Sequence, residues 1–184
     1  MTLEFEIKPI VLIDYLVTKL PDVDNEALAH QVEVYKDRKL SDNENAGRYE
    51  DNDLPNSKPI NDFKEILLNA LSFVTNQKVN LDSIWGHVTV PQAATEYHHH
   101  VGSHNNNGRL SDKDSPFSCV YYCKIPENSG DIRFRMMAGF REYIVTEKAE
   151  VGKLIVFPSE VPHMTGKNAS NENRVSISAN FRII

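Results

Sequence analysis

The chain carries His98, His99 and His100 in succession, and His163 far downstream. Neutral imidazole is a metal ligand and an acid or base near pH 7, so two histidines held side by side make half of a metal site. In an extended strand over residues 95–101, alternate side chains share a face, so His98 and His100 project together and His99 points the opposite way. A third donor must come from elsewhere, and His163, after the apolar run 154–157 and a proline, is the best-placed candidate. Divalent iron, cobalt, nickel, copper and zinc all accept neutral imidazole, so ligand type alone does not choose the metal. Glu96 shares the face of His98 and His100, where it can fix an imidazole tautomer. His30, His87 and His104 read as ordinary histidines.

A second constellation lies near the C-terminus. Arg174, Ser176, Ser178 and Asn180 share one face of the expected last strand, and Val175, Ile177, Ala179 and Phe181 share the other. In an ordinary sandwich the polar row faces water. In a barrel with a polar interior it points inward, where a guanidinium and a hydroxyl can grip a carboxylate through paired hydrogen bonds.

These residues need elements to hold them. After residue 81 the hydrophobic period is two: 83–90, 95–101, 117–125, 131–136, 142–146, 153–157 and 174–183 all read as strands, separated by turn-forming residues. Upstream, Leu28, Val32 and Tyr35 recur at helical spacing over 25–38, with Asp24 as N-cap. Phe63, Ile66, Leu67, Ala70, Leu71 and Val74 predict a helix over 62–74, with Asp62 and Glu65 as a capping box and an apolar stripe laid on a sheet. Residues 3–20 read as a short strand and a helical turn, and the polar stretch 41–58 as an exposed loop that could cover a site. Many strands after upstream helices predict a mainly β fold: a jelly roll, cupin-like, backed by two or three helices. One domain is expected over 1–184, with a helical N-terminal part to residue 80 and a jelly-roll core from 81.

Bulk composition fits that picture. The 184 residues are 40% hydrophobic and 25% charged, an ordinary globular balance. The net charge of −6 resides in the first 80 residues, which hold 15 acidic and 9 basic side chains against 11 of each thereafter. No basic nucleic-acid footprint is present. Glu4 and Glu6 stand where a signal peptide would carry Lys or Arg, and Asp14 interrupts the apolar run 10–17, so neither a secretory nor a membrane-spanning segment is expected. Cys119 and Cys123, four apart in one expected strand, lie ~13 Å apart, too far for a disulfide. They read as reduced, buried thiols of a cytoplasmic protein.

The motifs together resemble a known family. Phe157-Pro-Ser-x-x-Pro-His163, then Arg174-x-Ser-Ile-Ser-x-Asn-Phe181, is similar to the C-terminal half of 2-oxoglutarate- and Fe(II)-dependent oxygenases of the double-stranded β-helix fold. Upstream, Trp85, His98-His-His100-Val-Gly-Ser and Ser118-Cys-Val-Tyr-Tyr122 with Pro126-Glu-Asn-Ser-Gly130-Asp resemble the same family. The resemblance covers about 83–184. It implies an oxidoreductase, a dioxygenase with His98, His100 and His163 as Fe(II) ligands. Arg174 with Ser176 would hold the distal carboxylate of the cosubstrate 2-oxoglutarate, and Tyr121 or Tyr122, whichever faces inward, would line its pocket. O2 and a small-molecule or peptidyl substrate would be the other partners, with the oligomeric state, homodimer included, left open. Three departures stand out. His occupies the place of the superfamily's usual Asp or Glu ligand, Cys119 replaces a Gly, and the stretch 102–116 is long, adding His104 and three Asn. A second register, Tyr97-x-x-His100-x-Gly102, resembles related halogenases in which chloride takes the vacant carboxylate position. Two rivals remain: a three-His cupin-type dioxygenase without cosubstrate, and a non-catalytic jelly-roll module used for binding or assembly.

Overall fold

The structure, a computed structural model, describes residues 4–10, 13–36, 47–49, 54–101 and 115–184. Its elements in chain order are β1 (Phe5–Ile10), β2 (Ile13–Lys19), α1 (Asn25–Lys36), β3 (Gly47–Tyr49), α2 (Lys58–Thr75) and β4 (Val79–Thr89). There follow β5 (Phe117–Lys124), β6 (Ile132–Ala138), β7 (Arg141–Glu147), β8 (Lys153–Pro158), β9 (His163–Thr165) and β10 (Arg174–Ile183). A seven-stranded antiparallel sheet runs β1-β2-β8-β5-β10-β4-β3, and a three-stranded one runs β7-β6-β9. This is the mainly β architecture of the double-stranded β-helix, with two helices among the described residues.

The period of two in the central strands feeds two separate cores. Cys119, Tyr121, Leu154, Val156, Val175, Ile177, Ala179 and Phe181 pack with the helices. Their alternates Val120, Tyr122, Ile155 and Phe157 join Tyr15, Ile132, Phe134 and Val161 in a second cluster. The large sheet is therefore covered on both faces, which is why β5 and β8 read as almost unbroken apolar runs. Against its outer face α2 buries Ile60, Phe63, Leu67, Ala70 and Leu71, each large side chain worth roughly 1.5–3 kcal/mol of transfer free energy. The approach of α1 is closer still. A Cβ on Gly86 would stand 2.7 Å from Val32 Cγ1, so β4 carries no side chain there.

Helix α1 begins as read, with Asp24 Oδ1 accepting the Ala27 N–H at 3.0 Å. Helix α2 begins four residues earlier than expected. Ser57 is its N-cap, Pro59 sits in its first turn, and Asp62 makes an i,i+4 ion pair with Lys58 instead of capping. Residues 3–20 correct the sequence reading more strongly: the described ones among them form two strands and no helical turn. Leu16 and Val17 pair with Val156 and Ile155, so the sheet edge takes the backbone bonds that a helix would otherwise make. The expected loop 41–58 contributes β3 on β4 and a buried Leu54, while 41–46 and 50–53 lie outside the described residues. Strand β9 was not anticipated. Among the described residues no helix is long and apolar enough to cross a membrane. Cys119 and Cys123 are free and buried, and burial pushes the Cys119 thiol up to about 12.

Candidate metal centre

His163 is delivered by a turn. After β8 the Val161 N–H bonds the Pro158 carbonyl at 3.0 Å, and β9 then pairs with β6. His98 docks on the other side of His163: each donates its N–H to the other's carbonyl, at 3.0 and 2.9 Å. Directly opposed residues of an antiparallel pair put their side chains on one face, so the two imidazoles are neighbours by backbone pairing alone. The His100 N–H bonds the Ser159 carbonyl at 2.9 Å, which brings the third ring in.

The strand expected over 95–101 is reduced to a single bridge at His98. Thr95 pairs with Thr165 and His98 with His163, so three residues advance on one side against two on the other. The extra residue breaks the ladder as a bulge does. The predicted neighbourhood of His98 and His100 survives nonetheless, their ring centroids 5.3 Å apart, but His99 does not turn away from the site: it is exposed, as His98 is, and borders the same cavity.

Ring centroids lie 5.3 Å (His98–His100), 4.5 Å (His98–His163) and 4.8 Å (His100–His163) apart. One ligand atom from each lies within 4.8 Å of the others. The Nδ1 atoms of His98 and His163 each sit 2.9 Å from a main-chain carbonyl, of Glu96 and Val161. A carbonyl only accepts, so both Nδ1 atoms carry the proton and both Nε2 atoms carry the lone pair that binds a cation. Glu96 thus fixes a tautomer, but through its backbone and not its exposed carboxylate. His163 is only 6% exposed, against Phe157 at 4.7 Å between centroids. That burial, followed by the neighbouring His100 and His98, holds its pKa well below the usual value, and it stays neutral at pH 7.

Beside the histidines a cavity of about 800 Å³ is lined by the whole polar row of β10, Arg174, Ser176, Ser178 and Asn180. Arg174 is 1% exposed and lies over the Tyr122 ring at 5.2 Å. Its Nε and Nη1, the Tyr122 hydroxyl and Thr95 Oγ1 find no hydrogen-bond partner among the described residues. A buried guanidinium stays charged at neutral pH and wants a planar anion, so these orphaned donors fit a carboxylate. Of the two tyrosines, Tyr122 lines this cavity, whereas Tyr121 faces the helices, packs against Phe63 with the rings tilted by 40° and donates to Asn25 Oδ1 at 2.7 Å. Tyr121 therefore leaves the candidate set.

Some wall residues were missed in the sequence. His87, read as ordinary, lines the cavity, and so does Thr95. Their signals are weak: His87 faces Ser176 across β4 and β10, a relation visible only once strand register is known. His104 and Gly102, the latter needed for the second register, lie outside the described residues, as does most of 102–116.

Residues 83–180, just over half of the chain, match the family described as "Putative 2OG-Fe(II) oxygenase". The chain belongs to the 2-oxoglutarate- and Fe(II)-dependent oxygenases. As a member of that family it is an oxidoreductase that uses Fe(II), 2-oxoglutarate and O2. No curated protein matches the chain in sequence. Among solved structures it is similar to a prolyl-4-hydroxylase of Pseudomonas putida, with 18% identity and a TM-score of 0.64 over 100% of this chain and 94% of that one. It is also similar to the non-heme α-ketoglutarate-dependent carbocyclase SnoK of nogalamycin biosynthesis (12%, TM-score 0.69, 91% and 78%). A third is HygX of Streptomyces hygroscopicus, crystallised with nickel, 2-oxoglutarate and hygromycin B (14%, TM-score 0.63, 92% and 82%). At these identities the oxygenases share the fold.

Proposed function

We propose that His98, His100 and His163 hold the Fe(II), and that Arg174, with Ser176 and the Tyr122 hydroxyl, receives the far carboxylate of 2-oxoglutarate. The observation that carries this reading is the pair of orphaned donors on buried Arg174, in the same cavity as three clustered imidazoles. When bound, the iron and cosubstrate supply oxidising chemistry, coupling decarboxylation of 2-oxoglutarate to oxidation of a substrate by O2. The chain's own residues do the rest. Two backbone carbonyls hold the His98 and His163 rings with Nε2 as the lone-pair nitrogen. Arg174 sets the orientation of the dicarboxylate, and Val120, Ile132 and Phe157 wall the cavity with apolar surface that displaces water.

Three neutral ligands leave the metal one negative charge short of the usual set. The reaction on the substrate is hydroxylation, and the substrate is a small molecule or a peptide. The proteins of like fold include a prolyl hydroxylase and a carbocyclase, so the scaffold does not itself choose the reaction. The 184 residues act as one domain in the cytoplasm.

The test is anaerobic addition of Fe(II) and 2-oxoglutarate to the purified protein. A visible charge-transfer band should form, vanish in His163→Ala and weaken in Arg174→Ala. Metal binding with no response to 2-oxoglutarate would turn the reading toward a three-His dioxygenase, with Arg174 gripping the substrate.

A further inference from the structure

The three imidazoles are held in two different ways. His98 and His163 each use the carbonyl two residues earlier in the chain. His100 is held by side chains from distant strands: its Nδ1 is 2.9 Å from Asn180 Oδ1 and 2.9 Å from Ser118 Oγ. Ser118 and Asn180 are cross-strand partners on β5 and β10. Ser118 Oγ also lies 2.8 Å from Asn180 Oδ1 and 2.7 Å from Ser159 Oγ, and both serines are fully buried. The Trp85 ring packs edge-on against the imidazole at 5.1 Å, which limits its rotation.

The hydrogens of this network can be assigned by counting. An amide oxygen only accepts, and each serine has one O–H to give. The Ser159 hydroxyl donates to Ser118 Oγ, and the Ser118 hydroxyl donates to Asn180 Oδ1. What then faces the ring are lone pairs on both oxygens, so Nδ1 must carry the proton and Nε2 the lone pair. Building on the assignment of His98, His100 and His163 as iron ligands, we infer that Asn180, supported by Ser118 and Ser159, is a positioning residue that sets the tautomer of His100. A carboxylate at this place in the triad would need no such partner. A histidine does, because the opposite tautomer aims an N–H at the cation.

The test uses the full-length protein with ¹⁵N-labelled histidine, first metal-free and then titrated anaerobically with Fe(II) alone. Long-range ¹H–¹⁵N correlation reports which nitrogen of each ring is protonated. In Asn180→Leu the His100 ring should shift to the Nε2–H form while His98 and His163 stay Nδ1–H, and Fe(II) affinity should fall roughly 10–100-fold. Asn180→Asp, which keeps an acceptor in place, should restore both. If Asn180→Leu fails to fold, Ser118→Ala must show the same tautomer shift in part. The inference is overturned if His100 keeps Nδ1–H in Asn180→Leu or, where that variant does not fold, in Ser118→Ala, or if affinity falls in them while all three tautomers are unchanged. Should the wild type bind no Fe(II), the ligand assignment fails, yet the tautomer measurement on the metal-free protein still judges the role of Asn180.

Discussion

Glu147 and Lys153 are buried together where β7 ends and β8 begins, and Arg174 is buried at the start of β10 without an ion pair among the described residues. The first site is closed. Glu147 Oε2 accepts from Lys8 Nζ at 2.8 Å and from the Tyr15 hydroxyl at 2.9 Å, and its Oε1 accepts from Lys153 Nζ at 3.1 Å. Lys153 spends its other two hydrogens on the Lys148 carbonyl and on Glu150 Oε1, at 2.7 and 2.8 Å. The second site is open, with a stacked tyrosine ring and two idle nitrogens. A buried donor left unmade costs about 1–3 kcal/mol, so two of them on one buried cation, unpartnered among the described residues, favour a ligand that completes them. The difference teaches how to tell a charge that holds the fold from one kept for a ligand: count the donors left over.

The sharpest way to break this contrast is to remove one partner from the closed site. Glu147→Leu leaves Lys8 and Lys153 without their shared anion and should cost about 3–5 kcal/mol of stability in chemical denaturation, with 2-oxoglutarate affinity unchanged. Equal loss of affinity would mean that the two sites are one network. The reciprocal change, Arg174→Met, should weaken 2-oxoglutarate binding about 100-fold in an anaerobic titration, the value of two charge-assisted hydrogen bonds partly offset by solvation. Its melting temperature should hold or rise, because the orphaned donors go with the side chain. A marked fall in melting temperature with affinity intact would make Arg174 a structural residue and remove the cosubstrate site.

Much of this was legible beforehand, for physical reasons that differ by residue. The inward face of Arg174, Ser176, Ser178 and Asn180 follows from the period of two, because β10 is central in its sheet and one face must meet the helices. The facing of His98 and His100 followed from the same rule, although the strand assumed for it is only a bridge. What could not be read is register. The pairing of His98 with His163, of Ser118 with Asn180 and of Ser176 with His87 depends on which strands become neighbours, and no local pattern carries that. The N-terminal strands were missed because β1 and β2 are stabilised by the edge of β8, a partner far away in sequence. Tyr121 and Tyr122 could not be told apart because both faces of β5 are buried.

Acid should separate the two sites by pH in the metal-free protein, an effect smaller than either substitution. Burial, then the adjacent imidazoles, depresses the pKa of His163, so the unfolded chain takes up a proton below about 6.5 that the folded chain refuses. Stability is lost as pH falls from that value toward the folded pKa, by at most about 1.4 kcal/mol per pH unit for each proton. The closed site acts lower. Burial alone would raise the Glu147 carboxyl, but bonds from Lys8, Tyr15 and Lys153 outweigh it and hold the group below its ordinary 4.5. Lys153 and Lys19 push the half-exposed Glu150 down to about 2. Depressed carboxylates stabilise above their unfolded pKa and lose that contribution as pH falls through the folded one, so this second loss begins near 4.5. Denaturation midpoints from pH 7 to 3 should therefore decline in two legs. His163→Leu should flatten the upper leg and leave the lower, and Glu147→Leu should do the reverse. A single leg that responds to both substitutions would show that the imidazole cluster and the Glu147 network titrate as one unit, against the contrast drawn from their geometry.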